Sequence, residues 1–386
     1  MLRGLRRRVN LGRAAASPSA ALRLAVFRLV LALLIGSALW AAIVGGLLRA
    51  GLSWAALRDS SLGANAEAAH AALMLSGFLG TVIAAKRAVW VKQPWAHAAP
   101  LLSGLAGLLL LSGASKAAVC CMLLAALLHA LANAWVLRRQ ASYSQALLLA
   151  GALAWLIGNL LFAAGADSAL LLPWWFAFPV LTIVGERLEM TALLRRQPLA
   201  GRPLSVIAAS LLLGAALMPF APRNAALIFG AALAALAVWL GWFDIFSRKP
   251  LAHGLSRYIR ICCASGYAWL GVAGLAWVGM ALGCPGRDLA LHALGLGFIV
   301  NLLFGHAPVI LPALARISIV FSHRFYLPLG LLQASLLLRL FGGIGQPQLR
   351  FAGACLNAAA LLLFAALLLK AALDWRRMGR RWPGII

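Results

Sequence analysis

Long apolar stretches that contain no Asp, Glu, Lys or Arg, such as 146–164, 289–308 and 352–369, limit this chain to very few folds. Each approaches or reaches the ~20 residues that a helix needs to span the hydrocarbon core of a bilayer. Inside that core every backbone N–H and C=O must be satisfied within the protein, so an apolar run of this length is read as a helix. Of 386 residues 64% are apolar and 11% charged, a balance that excludes a soluble globule. The expected class is all-α, a polytopic membrane helix bundle.

Hydropathy places about twelve spans, at 24–48, 66–85, 97–113, 117–137, 145–165, 169–185, 204–220, 225–243, 265–283, 288–308, 325–343 and 351–373. Charge supports an even count independently. With the N-terminus in the cytoplasm, 26 of the 34 Lys and Arg fall in cytoplasmic segments and 6 in outer ones: Arg49, Arg58, Lys116, Arg223, Arg287 and Arg350. Arg28 and Arg339 lie within spans. Both termini are therefore expected in the cytoplasm of a cell whose inner (plasma) membrane holds the chain. The organisation is a basic tail over 1–23, a membrane domain over 24–373 and a basic tail over 374–386.

The net charge of +26 is spread over seven cytoplasmic segments, which reads as topology and attraction to anionic lipid rather than as a nucleic-acid surface. The six cysteines include two adjacent pairs, Cys120–Cys121 and Cys262–Cys263, a spacing unsuited to a zinc framework and read as buried small residues. No P-loop, dinucleotide fingerprint, HExxH or nucleophile elbow is present, so no catalysed reaction is indicated. No carboxylate falls at the middle of a span, which argues against an ion-coupled transporter.

The histidines carry the functional expectation, because an ionisable residue within a membrane segment is by default a candidate site. His70 and His292 each stand about four residues, or ~6 Å, inside the second and tenth helices, which run in the same direction. Both imidazoles thus belong near the outer face, where they suit the axial positions of a haem. Gly77 and Gly80, and Gly295 and Gly297, either admit a flat ligand beside them or pack helix on helix. His306, fourteen residues after His292, returns to within ~40° of the same face ~21 Å deeper, and His129 reaches a comparable depth. These two are candidates for a deeper metal site, copper or a second haem. Glu186, Arg187 and Glu189 read as a charged cap at the cytoplasmic end of the sixth span. Trp174, Trp175, Trp90, Trp95, Trp242, Trp375 and Trp382 read as interfacial anchors.

Three stretches resemble the NnrS family of haem- and copper-containing membrane proteins, itself similar to subunit I of haem-copper oxidases. They are Phe27-Arg28 with Trp40; His70-Ala71-Ala72-Leu73-Met74 with Gly77-Phe78 and Ile83; and Leu291-His292-Ala293-Leu294 with Gly297, followed by Gly305-His306. The resemblance implies a b-type haem held by His70 and His292, with copper possible, in electron transfer or the response to nitric oxide and other nitrogen oxides. Its partners would be membrane lipid and a diatomic gas or redox partner. Ala72 and Leu73 stand where the family pattern has a second His and a Glu, so the resemblance does not extend to an oxygen-reducing binuclear centre. A different class remains open, a multi-pass transporter or respiratory-complex assembly factor with structural histidines.

Overall fold

The structure is a computed structural model that describes residues 18–192, 201–244, 253–315 and 319–381. Among the described residues, eleven helices are long and apolar enough to cross a membrane. They are α1 (Leu22–Ala50), α2 (His70–Val91), α3 (Pro94–Leu111), α4 (Ser115–Arg139), α5 (Tyr143–Ala163) and α6 (Ser168–Met190), then α8 (Pro222–Phe243), α9 (Leu255–Ala281), α10 (Arg287–Pro312), α11 (His323–Gly342) and α12 (Pro347–Trp375). Between α6 and α8 stands a shorter apolar helix, α7 (Gly201–Leu217). The chain is a polytopic membrane helix bundle, as its apolar runs require.

The helices overrun the hydropathy edges where charge begins. α9 starts ten residues before the apolar run and takes in Arg257 and Arg260, and α12 continues as helix to Arg381. A helix needs apolar residues only at bilayer depth and continues into the headgroup region with charged ones. Much of the expected C-terminal tail is therefore helical. The basic residues expected at 1–17, together with Arg195, Arg196, Arg248, Lys249, Arg316 and Trp382, lie outside the described residues.

Burial ranks the helices. About two-thirds or more of α2, α6 and α10 is enclosed, against a third of α1 and α12. The two histidine helices and α6 thus form the centre, and the others shield them from lipid. α6 runs unbroken through Pro173 and Pro179. Neighbouring helices make such prolines tolerable in a membrane bundle.

Two buried polar networks hold the histidine helices. On α2, Ser76 Oγ accepts Trp155 Nε1–H at 3.0 Å, and its carbonyl accepts the hydroxyl of Ser103 at 2.8 Å. On α10, Trp269 Nε1–H donates to Gln333 Oε1 at 2.7 Å and Gln333 donates to Asn301 Oδ1; Asn301 then donates to Ser265 Oγ at 2.8 Å. Each network ties three helices together by bonds that lipid cannot replace.

Glycines set the closest approaches. A Cβ on Gly80 would stand 2.6 Å from the Trp155 ring and one on Gly297 2.6 Å from Trp269, while Gly77 faces Gly107 and Ala38. These three are packing residues, and of the four glycines expected beside a flat ligand only Gly295 lines a cavity. At the α8–α9 seam a Cβ on Gly274 would stand 2.5 Å from Ala234 N and 2.7 Å from Gly230 O. Backbone cannot rotate away, so Gly274→Ala is expected to destabilise the bundle by about 1–3 kcal/mol. Thermal unfolding in detergent checks this, with Gly241→Ala, where a Cβ meets open space, expected to leave the midpoint unchanged.

Candidate functional site

A cavity of about 700 Å³ opens at the end of the bundle where α1 and α11 finish and α2, α6, α10 and α12 begin. Its volume lies in the range of small-molecule and cofactor sites. The walls are largely apolar, with Leu75, Leu79, Phe176, Leu296 and Leu361 among them. His70 and His292 both line it, so the fold brings together the two imidazoles that sequence depth had paired.

The two rings are held in the same chemical form by different partners. His70 Nδ1 lies 2.7 Å from the carbonyl oxygen of Ala42 on α1. A carbonyl only accepts, so Nδ1 carries the proton and Nε2 keeps its lone pair. Gly46, one turn further along α1, leaves the room that the His70 ring occupies: a Cβ there would stand 2.8 Å from Cε1. His292 Nδ1 lies 2.9 Å from Asp288 Oδ1 and 3.1 Å from the Asp288 carbonyl, one helical turn earlier, which fixes the same tautomer.

Asp288 is in turn gripped by Arg339, whose Nη2 donates to Oδ1 at 2.7 Å and Nε to Oδ2 at 3.0 Å. The same Nη2 lies 3.1 Å from Nε2 and 3.3 Å from Nδ1 of His292. With Nδ1 protonated, Nε2 is the acceptor of the two, so Arg339 stands against the free lone pair of His292. Both histidines are thus oriented by a fixed outer partner at Nδ1; Nε2 of His70 is left as an acceptor, and Nε2 of His292 faces Arg339.

All three π-helical stretches among the described residues adjoin this cavity. Leu73–Gly80 begins three residues after His70, Ala293–Val300 begins immediately after His292, and Leu338–Gly342 contains Arg339. A π turn inserts a residue into the helical register and re-aims the side chains around it, and such turns concentrate at functional sites.

The wall also carries four arginines, Arg49, Arg287, Arg339 and Arg350, against one aspartate, Asp288, a formal charge of +3 with both histidines neutral. Arg49, Arg287 and Arg350 are exposed at helix ends, and Arg287 donates to Ser168 Oγ at 2.6 Å. They are three of the six basic residues assigned by topology to the sparsely charged face. Together they give the mouth of the cavity a positive field.

Sequence reasoning missed this ring of arginines and the Asp288–Arg339 clamp. Two signals were available: an arginine within a span, and an aspartate one helical turn before a histidine. Trp175, expected as an interfacial anchor, is buried instead; it lines the cavity and donates to Asn159 Oδ1 at 2.9 Å. Trp90, Trp95 and Trp242 are exposed, as anchors require.

His129 and His306 lie outside the wall of this cavity. His129 is buried with its edge against the stacked rings of Trp155 and Phe178, and Asn133 Nδ2 lies 3.2 Å from its Nε2. His306 Nδ1 lies 2.7 Å from the carbonyl of Leu302, and its Nε2 accepts from Arg187. Both nitrogens of His306 have partners within the protein, and no group of three or more His, Cys, Asp or Glu arranged for a metal occurs among the described residues. Arg187, expected as an interfacial cap, is buried, whereas Glu186 pairs with Lys86.

A family model described as a domain of unknown function (DUF8744) matches residues 28–373, which covers the helices named above apart from the start of α1 and the end of α12. No curated protein and no solved structure matches the chain.

Proposed function

The chain belongs to the family of that domain of unknown function, DUF8744, and we propose that its activity is to bind haem b between His70 and His292 in the cavity at one end of the bundle. One observation carries the reading: two histidines from separate central helices line a single cavity, each with Nδ1 committed to an outer partner; at His292 a metal would take Nε2 in place of Arg339, which keeps its two bonds to Asp288. The apolar walls suit a macrocycle, and the arginines suit its carboxylates. Haem, when bound, supplies one-electron redox chemistry and, where an axial position is vacated, affinity for diatomic gases.

Within this reading each residue has a task. Ala42 and Asp288 hold the imidazole protons away from the cavity. Arg339 holds the Asp288 carboxylate beside His292, and Leu75, Phe176 and Leu296 exclude water from the interior. Two histidine ligands favour electron transfer, and binding of nitric oxide or another gas requires one of them to leave.

Topology is part of the same proposal. α6 and α10 both begin at the cavity end, so an odd number of crossings lies between them; α8 and α9 are two, and α7 makes three. α7 is thereby a twelfth crossing and the termini share a side. Placed in the cytoplasm by the charge distribution of an inner-membrane protein, they leave the cavity facing outward.

The test is a reduced-minus-oxidised optical spectrum of the full chain purified in detergent from cells supplied with ample haem. A Soret band with sharp α and β bands is expected. Colourless protein that also fails to bind added haemin overturns the proposal. Gly46→Ala is a finer probe, because its Cβ would press on the His70 ring and move it off the Ala42 carbonyl. Haem loss to excess apomyoglobin is expected to quicken by at least about tenfold, with the fold retained.

A second reading is favoured by the exposed arginines alone: reversible binding of an anionic solute for transport, with structural histidines. It predicts colourless protein whose thermal midpoint rises with a small carboxylate or phosphate.

A further inference from the structure

The end of the bundle opposite the His70–His292 cavity holds a second, smaller cavity of about 510 Å³, between the start of α9 and the start of α11. Its wall is made of His253, Gly254, Arg257, Ile261, His323 and Tyr326. Four of these side chains bring hydrogen-bond donors, and no carboxylate stands among them. The carboxylates of this end face other groups: Glu186 pairs with Lys86, Glu189 faces Arg87, Asp244 accepts from Tyr267, and Asp374 pairs with Lys370. Among the described residues, no hydrogen bond or ion pair engages the side chains of His253, Arg257, His323 or Tyr326.

Aromatic packing shapes this wall. The buried Tyr258 ring lies 5.6 Å from that of Phe321 and 5.3 Å from that of Tyr326, which fastens the start of α9 to the start of α11. The His323 ring in turn stacks on Tyr326 at 6.3 Å, with 26° between their planes. Arg257, next to Tyr258 in the chain, thus meets His323 and Tyr326 across a fixed seam. Gly254 precedes α9 without a side chain to cap it, so the first amide N–H groups of that helix add to the positive field.

Depth selects the ligand. α9 has 27 residues, or ~40 Å of helix against a hydrocarbon core of ~30 Å, so its charged first turn stands among lipid headgroups. Ile261 lies one turn, ~6 Å, further along than Arg257 and is exposed on the outside of the bundle, as is Leu327 next to Tyr326. The cavity therefore joins donors at headgroup level to apolar surface at hydrocarbon level. We propose that it holds the phosphate of an anionic phospholipid, with Arg257 as counter-ion, His253, His323 and Tyr326 as hydrogen-bond donors, and an acyl chain laid along Ile261. A free phosphate would use the donors and leave the apolar part of the wall bare. This site and the His70–His292 cavity lie at opposite ends of the bundle, and neither reading depends on the other.

Full-length protein in neutral detergent is titrated with phosphatidylglycerol and with phosphatidylcholine of the same acyl chains, and the lipid retained after gel filtration is quantified by mass spectrometry. Wild-type protein is expected to retain phosphatidylglycerol at about tenfold lower lipid concentration, the worth of one hydrogen bond to a charged group. Arg257→Gln is expected to remove that preference. Arg138→Gln, which deletes an exposed charge from the same end of the bundle outside the cavity, is expected to keep it. Equal retention of the two lipids by the wild type, a preference that survives in Arg257→Gln, or an equal loss in Arg138→Gln overturns the site. Inorganic phosphate that displaces phosphatidylglycerol from the wild type assigns the cavity to a soluble phosphate and overturns the lipid reading. If Arg257→Gln does not fold, His323→Gln takes its place in the same comparison.

Discussion

Purified His70→Ala and His292→Ala variants are each expected to retain less than about a tenth of the wild-type haem, while His129→Ala and His306→Ala retain it. The asymmetry follows from where the four rings stand. His70 and His292 line one cavity, whereas His306 and His129 lie outside it, the first held by Leu302 and Arg187 and the second among Trp155, Phe178 and Asn133. Removing one axial ligand leaves the other ring to hold the macrocycle alone, and the oriented outer partner of the lost ring, Ala42 or Asp288, then faces a void. The measurement is the pyridine haemochrome content of protein matched for folded yield by gel filtration and thermal midpoint. Haem retained in both single variants would sink the assignment. Loss in His129→Ala instead would move the site to the α4–α5–α6 core.

Arg339→Leu is expected to lower the stability of the folded bundle by roughly 2–3 kcal/mol and to weaken haem binding with it. Breaking a buried ion pair by deleting one partner typically destabilises by ~3–5 kcal/mol, because the other charge is left uncompensated. Here 34% of the Asp288 side chain remains exposed, so water screens part of the loss and the lower end applies. The double variant Arg339→Leu, Asp288→Asn removes the orphaned charge and is expected to recover a good part of the stability, giving a favourable coupling between the two changes. It should still bind haem less well than the wild type, since the His292 ring loses its carboxylate. Thermal unfolding in detergent across the four proteins of the cycle reads the coupling. A double variant less stable than Arg339→Leu alone would show that the clamp is not an ion pair of consequence.

Much of the helical layout could be read directly from the apolar runs, since a helix of span length writes itself as ~20 uncharged residues. The ends could not, as α9 shows: Arg257 and Arg260 are as helical as the residues after them, and hydropathy is silent about helix outside the hydrocarbon. The pairing of His70 with His292 was also legible, because two helices of like direction place residues at like offsets at like depth. The meaning of the glycines was not. Gly80 and Gly297 look identical in sequence to Gly295, and only the positions of Trp155 and Trp269 reveal that the first two are filled by neighbouring indoles while the third faces the cavity.

What the sequence determined by itself was class and depth: a helical membrane bundle, and two imidazoles near one end. These are one-dimensional properties, set by how long a run stays apolar and how far along it a residue stands. Tertiary structure decided everything that depends on which helix faces which. It brought Arg49, Arg287, Arg339 and Arg350 from four separate helix ends to a single cavity and closed Arg339 onto Asp288 across 51 residues. It also gave Arg187 to His306 across 119 residues, where sequence had placed a surface charge. Rotation about a helix axis and the choice of neighbours leave almost no trace in a bundle that is apolar on every side, because lipid and protein interior ask for the same residues.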